Sequence, residues 1–154
     1  MKYLISLSLF ILLISCGSKN NNSTEITDYT KQNEKEIQDY LKENNLEAQK
    51  SDSGLYYIIN EPGTGKQPSE SSTVKVAYKG YFTNGKIFDE SKAEGISFGL
   101  NQVIKGWTEG ITYFKEGGSG TLLIPSHLGY GNRGNSRIPA GSVLLFDIKL
   151  ISTD

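Results

Sequence analysis

The sequence predicts an α+β domain: an antiparallel sheet with one short helix against it, preceded by a short N-terminal helix. Three observations point there. Short β-prone runs follow one another through turn-forming residues, without the spacing that a helical crossover between parallel strands requires. One of those turns, Thr83-Asn84-Gly85-Lys86, carries the Asn-Gly signal of a hairpin. Beyond residue 54, only the stretch near 103–112 places apolar residues at helical spacing.

The elements follow in chain order. Residues 1–15 read as a targeting segment to be left out of the fold: a positive start at Lys2, then an apolar run over 3–15, shorter than the roughly 20 residues a membrane-spanning helix needs. That run ends at Cys16, followed by Gly17-Ser18, the arrangement of a bacterial lipoprotein signal with the lipid carried on the cysteine sulfur. An ordinary secretory peptide that happens to contain a cysteine is the plainer alternative. Residues 16–27 are polar and are expected to form a flexible tether. Residues 28–53 are expected to be a helical spacer, with Ile37, Tyr40 and Leu41 as a thin apolar stripe over 28–46. Such a stripe serves either a partner helix or a largely solvated helix lying on the domain; the second is the expectation.

The folded domain is expected over 54–154. Leu55–Ile59 is a strand, and 61–72 a loop rich in Pro, Gly and Ser. Its Gly-Thr-Gly-Lys fragment lacks the wider spacing of a phosphate-binding loop. Residues 73–82 alternate as a half-buried strand, with Val74, Val76 and Tyr78 on one face. The hairpin returns through Lys86–Asp89, and Ile96–Leu100 is a further strand. A helix is expected over Val103–Thr112, with Ile104, Trp107 and Ile111 at i, i+3, i+7. Residues 117–126 give a turn and strand, 127–141 a glycine-rich loop, and 142–152 a terminal strand. In that strand Val143, Leu145 and Ile148 cannot share one face without a twist or bulge.

Composition bounds the function. The 154 residues fit one domain plus attachments, with 36% hydrophobic and 21% charged side chains. A net charge of −1 and the lack of a basic, aromatic-interleaved patch give no reason to expect nucleic acid. Seventeen glycines and nine tyrosines suit a turn-rich β domain with an aromatic interior or groove. Cys16 is the only cysteine, so no intrachain disulfide forms, and His127 is the only histidine, so no Cys/His or His-rich metal site is expected. His127 reads as a loop histidine rather than a general base. Asp89, Glu90 and Glu94 read as a solvated turn rather than a paired-acid site. On periodicity alone Trp107 reads as core.

Four stretches, VKVAYKGYFTNGKIFDES, QVIKGWTEG, LLIPSHLGYG and IPAGSVLLFDIKL, together resemble the FKBP-type peptidyl-prolyl cis-trans isomerases, the immunophilins that bind macrolide drugs. The resemblance runs from about Gly54 to the C-terminus. It implies a curved antiparallel sheet, a half-barrel, wrapped around one short helix with an apolar pocket between them. It turns Trp107 from core into the pocket floor, with Val103 and Ile104 at the rim and Gly106 letting the helix start close to the sheet. Tyr78, Phe88, Asp89, Phe98, Ile138 and Phe146 are the matching wall and closing positions, and Tyr130 matches the tyrosine whose hydroxyl donates to the substrate carbonyl. Phe88, Asp89, Trp107 and Tyr130 form the implied catalytic group. The implied reaction is X-Pro bond rotation, without cofactor or metal. Proline-containing polypeptides are its substrates and macrolides its inhibitors. A binding module or chaperone with little catalysis is the alternative. Ile96 stands where many members carry phenylalanine, the loop after Tyr130 is shorter than in many members, Asn135 or Ser136 falls where some have histidine, and Ile138-Pro139-Ala140 replaces a common Ile-Pro-Pro. With the lipoprotein-like start, the chain looks like a lipid-anchored member from Gram-negative bacteria, a monomer held on a membrane of the cell envelope and facing the periplasm.

Overall fold

The computed structural model describes residues 28–154. The targeting segment over 1–15 and the whole tether over 16–27, Cys16 included, lie outside the described residues. Among those described, seven strands form one antiparallel sheet: β1 (Gln49–Lys50), β2 (Tyr56–Glu61), β3 (Thr73–Tyr81), β4 (Ile87–Glu90), β5 (Ile96–Gly99), β6 (Ser119–Ile124) and β7 (Leu144–Thr153). Their order is β1-β2-β6-β7-β3-β4, and β5 pairs with β3 beyond the hairpin. Two α-helices, α1 (Thr30–Glu43) and α2 (Lys105–Gly110), lie on opposite faces.

The alternation of side chains along the central strands explains why both faces are covered. Leu122, Ile124, Leu144, Phe146, Ile148 and Leu150 join Trp107 and Ile111 in the main core on the α2 side. Their neighbours Leu123, Val143 and Leu145 point the other way, where they meet Tyr56 and Ile37 of α1. This resolves the apparent conflict within the terminal strand. Val143 and Leu145 serve one face and Ile148 the other, so no bulge is needed between them. The bulge between β3 and β7 lies further on, where Lys75 pairs with Ser152 and Val76 with Leu150.

The spacer helix is tied down by two buried side chains and by a half-exposed carboxylate. Ile37 and Asn33 are both fully buried, and Tyr56 and Lys50 both bond the Glu34 carboxylate, from 2.5 Å and 2.8 Å. These two contacts, Lys50 first, hold the Glu34 carboxyl below its ordinary value of 4.5. The two-residue strand β1 precedes Gly54, where sequence patterning starts the domain. Its residues are exposed and pair by backbone alone, so no hydrophobic rhythm marks it.

The helix expected over Val103–Thr112 is shorter. Val103 and Ile104 are extended, and α2 starts only at Lys105, followed by a 3-10 turn over Ile111–Tyr113. Apolar spacing continues through Ile104, but its backbone does not. Ile104 acts as the cap, its carbonyl accepting the N–H of Trp107 at 2.9 Å and of Thr108 at 3.1 Å.

Candidate active site

A cavity of about 520 Å³ opens between α2, the β3–β4–β5 side of the sheet and the 127–141 loop. Trp107 forms its floor. The indole is 6% exposed, yet it lines the open cavity. Three rings hold it. Tyr78 and Phe146 meet it edge-on, with centroids 4.9 and 5.0 Å away, and Phe98 lies tilted at 5.2 Å. Such edge-to-face packing fixes ring orientation beyond what burial alone achieves. The indole N–H is buried without a partner, so the ring is held by apolar contact and not by a hydrogen bond.

Local backbone features bring these residues together. Gly106 faces Ile124, where a Cβ would come within 2.6 Å of Cγ2, and Gly110, one turn on, faces Leu122 equally closely. The two glycines let α2 settle against β6 and set the depth of Trp107. Phe88 and Asp89 are consecutive in β4, and in a regular strand they would point to opposite faces. Gly80 pairs with Asp89 and Tyr81 with Ile87, so Phe88 is the extra residue of a bulge. Both side chains thereby line the cavity. Opposite them Gly80 leaves the space where Phe88 and Phe146 meet, with a Cβ there 2.8 and 2.7 Å from the two rings.

The polar groups gather at the mouth. The Tyr78 hydroxyl donates to Asp89 Oδ2 at 2.7 Å, and Arg137 Nη1 lies 3.8 Å from Asp89 Oδ1. Burial, and then the Asp89 carboxylate, push the Tyr78 phenol up to about 12. Tyr130 stands at the mouth, 41% exposed. Ile138 is held over the cavity by a tight turn in which Asn135 Oδ1 accepts the N–H groups of Arg137 and Ile138 at 2.8 and 2.9 Å. Asn135 N–H in turn donates to the Ile138 carbonyl at 2.7 Å. All ten pocket residues named from sequence line this one cavity. Val103 and Ile104 do so from the extended segment ahead of α2 and not from within a helix.

Residues 64–151 match the FKBP-type peptidyl-prolyl cis-trans isomerases. The chain belongs to that family. Over 102 residues it is 47% identical to the probable FKBP-type peptidyl-prolyl cis-trans isomerase FkpA of Neisseria meningitidis, covering 64% of this chain. It is also 47% identical over 103 residues to FkpA of Escherichia coli, covering 66% of this chain. The chain spans 38% of the length of each of these two relatives. The crystal structure of Escherichia coli FkpA superposes with a TM-score of 0.73 at 40% identity, covering 81% of this chain and 61% of that one. A peptidyl-prolyl cis-trans isomerase from Pseudomonas syringae gives 0.70 at 30% identity, covering 81% and 96%.

Four further residues line the cavity of this FKBP domain, of which only Arg137 lies outside both the four motifs and the positions compared above. Gln102, Arg137, Asn135 and Ile96 also line it. Ile96 is 46% exposed, an open aliphatic wall. Arg137 carried no signal in the sequence, because an arginine in a glycine-rich loop reads as solvated until the turn at Asn135 aims it at Asp89. The close approach at Gly80 does carry a sequence signal, since glycine inside a strand often marks a bulge or a crowded neighbour.

Proposed function

We propose that the protein is a peptidyl-prolyl cis-trans isomerase acting on proline-containing polypeptides outside the cytoplasm. The observation that carries this reading is the aromatic cavity floored by Trp107, with its polar groups confined to the mouth. Rotation about a peptide bond faces a barrier of roughly 18–20 kcal/mol, because resonance stiffens C–N. At X-Pro bonds both isomers are accessible but exchange takes tens of seconds or more. At the top of the barrier the amide is twisted and resonance is lost. Its carbonyl is then less polar than in the planar state. An apolar cup binds that form better than water does, relative to the flat amide, and this difference is the catalysis.

In this reading Trp107, Phe88, Phe98, Phe146, Val103 and Ile104 hold the proline ring, with Ile138 closing over it. Tyr130 donates its hydroxyl to the preceding carbonyl. Asp89, bonded by Tyr78 and faced by Arg137, orients the wall and moves no proton. Macrolides that present a proline-like ring compete for the same cup. A protease-coupled assay on an Ala-Leu-Pro-Phe peptide tests the proposal. Trp107→Ala is expected to abolish acceleration and Tyr130→Phe to lower it markedly; unchanged rates in both refute the site. Tight peptide binding with no acceleration in the wild-type protein would favour a holding module, a reading the open Ile96 wall supports.

The proposal extends to location. The apolar run over 3–15 and the lone Cys16 support a lipid anchor on that sulfur; the proposal places the protein as a monomer on an envelope membrane with its domain facing the periplasm. Among the described residues no helix is long and apolar enough to cross a membrane. Cys16→Ser is expected to release the protein from membranes; retention in the membrane fraction refutes lipidation.

A further inference from the structure

Asn33 lies on α1, outside the segment that matches the family, and it is the least exposed polar side chain of that helix. Its carboxamide makes two buried hydrogen bonds to main chain far away in sequence. Nδ2 donates to the Gly141 carbonyl at 2.8 Å, and Oδ1 accepts the Ser126 N–H at 2.8 Å. Those two backbone groups bracket the 127–141 loop, which carries Tyr130, Asn135, Arg137 and Ile138 to the cavity. The brackets are also joined to each other through the loop. Gly131 N–H donates to the Ser126 carbonyl at 2.8 Å, and Gly141 N–H donates to the Gly131 carbonyl at 2.9 Å. Tyr29, at the start of α1, packs its ring onto Gly141, where φ is +71° and a Cβ would come within 2.3 Å of the ring.

We infer that Asn33 is a positioning residue for the cavity: one carboxamide clamps both ends of the loop and so sets where Tyr130 and Ile138 stand over Trp107. Its consequence for rate rests on the isomerase reading above; the clamp itself does not. The chemistry demands this residue type. One end presents a donor and the other an acceptor, and both are shut away from water. Leucine would leave both unpaired. Aspartate would keep the acceptor for Ser126 and turn a second oxygen toward the Gly141 carbonyl. A helix that merely covered the sheet would need Ile37 and not Asn33.

The experiment uses the full chain and the variants Asn33→Leu, Asn33→Asp and Ile37→Val, the last loosening the same helix without touching the loop. Amide hydrogen exchange is followed at Ser126, Gly131 and Gly141 and, for reference, along the β6–β7 ladder, alongside kcat/KM for the prolyl peptide. Asn33→Leu is expected to speed exchange at the three loop amides at least tenfold beyond any change in the ladder. It should lower kcat/KM by about ten- to a hundredfold, the upper figure being the scale for a misplacement of about 1 Å. Ile37→Val, at a matched loss of melting temperature, should do neither. Asn33→Asp should regain activity and loop protection as pH is lowered, because the protonated carboxyl again donates to Gly141. Uniform exchange across loop and ladder, or activity that tracks melting temperature in all three variants, overturns the positioning role. A wild-type protein without isomerase activity overturns the proposed function, and the exchange pattern then decides the clamp by itself.

Discussion

The Tyr78 hydroxyl and the Asp89 carboxylate face each other across the β3–β4 ladder at 2.7 Å, and the other Asp89 oxygen looks toward Arg137. The carboxylate is thus met from two sides at the rim of an apolar cup. In the proposed function that arrangement fixes the rim rather than preparing a base. It also makes Tyr78 a reporter. Burial is the larger cause of its raised pKa and the Asp89 charge the second. In Asp89→Asn the Tyr78 phenol is therefore expected to fall below about 12 but to stay above its ordinary value of 10. Ultraviolet titration of the wild-type and variant proteins, each differenced against its Tyr78→Phe counterpart, isolates this phenol among the nine tyrosines; a return all the way to the ordinary value would reverse the ranking of causes.

At high pH the sign follows from the same shifts. Tyr78 and Tyr113 both stand near 12 in the folded protein, against 10 when unperturbed. The unfolded chain therefore loses these protons first. Below pH 10 both states keep them and stability is unaffected; between about 10 and 12 the folded state binds more protons, and stability declines as pH rises. Thermal melts across that window should show the decline. Tyr78→Phe and Tyr113→Phe should each make it shallower.

Gly80→Ala tests the meeting of Phe88 and Phe146. The added methyl would lie 2.7–2.8 Å from both rings, so one ring must leave its place. The expected result is a loss of about 1–3 kcal/mol in stability, the scale of an overpacked core. A drop in kcat/KM larger than that of a remote core variant of equal melting temperature should accompany it. Peptide turnover beside calorimetry decides.

Gly106→Ala tests the seating of α2. Its methyl would press on Ile124 at 2.6 Å and lift the helix that carries the only tryptophan in the chain. Trp107 emission should shift as the indole moves, with stability lower by about 1–3 kcal/mol. Unaltered emission with normal turnover would mean that the glycine is not what sets the floor.

Much of this arrangement was readable from residues. The alternation of Val74, Val76 and Tyr78, the Asn-Gly turn and the motif around Trp107 each fixed an element whose side chains converge on one cavity. What stayed hidden depended on three-dimensional company. The apolar run Val103-Ile104 extended the helical rhythm past the true start of α2, because periodicity does not report φ and ψ. The bulge at Phe88 is a matter of pairing register, which a single strand does not display. Asn33 looked like one more polar residue on a thin amphipathic helix. Only its two distant partners show that it is buried and committed. Val143 and Leu145 looked misplaced until α1 supplied a second face to cover.

The position of β7 has a consequence for biosynthesis. Residues 144–153 are the last strand in sequence, yet they lie between β6 and β3 in the middle of the sheet. During synthesis or export from the N-terminal end, β6 and β3 each wait with an open edge until this one arrives. The β1-β2-β6 group and the β3-β4-β5 group cannot join into one sheet before then, and such long-range pairing is intrinsically slow to form. A protein proposed to hasten the folding of others is, by its own topology, a late finisher, and during that wait it is itself exposed to aggregation.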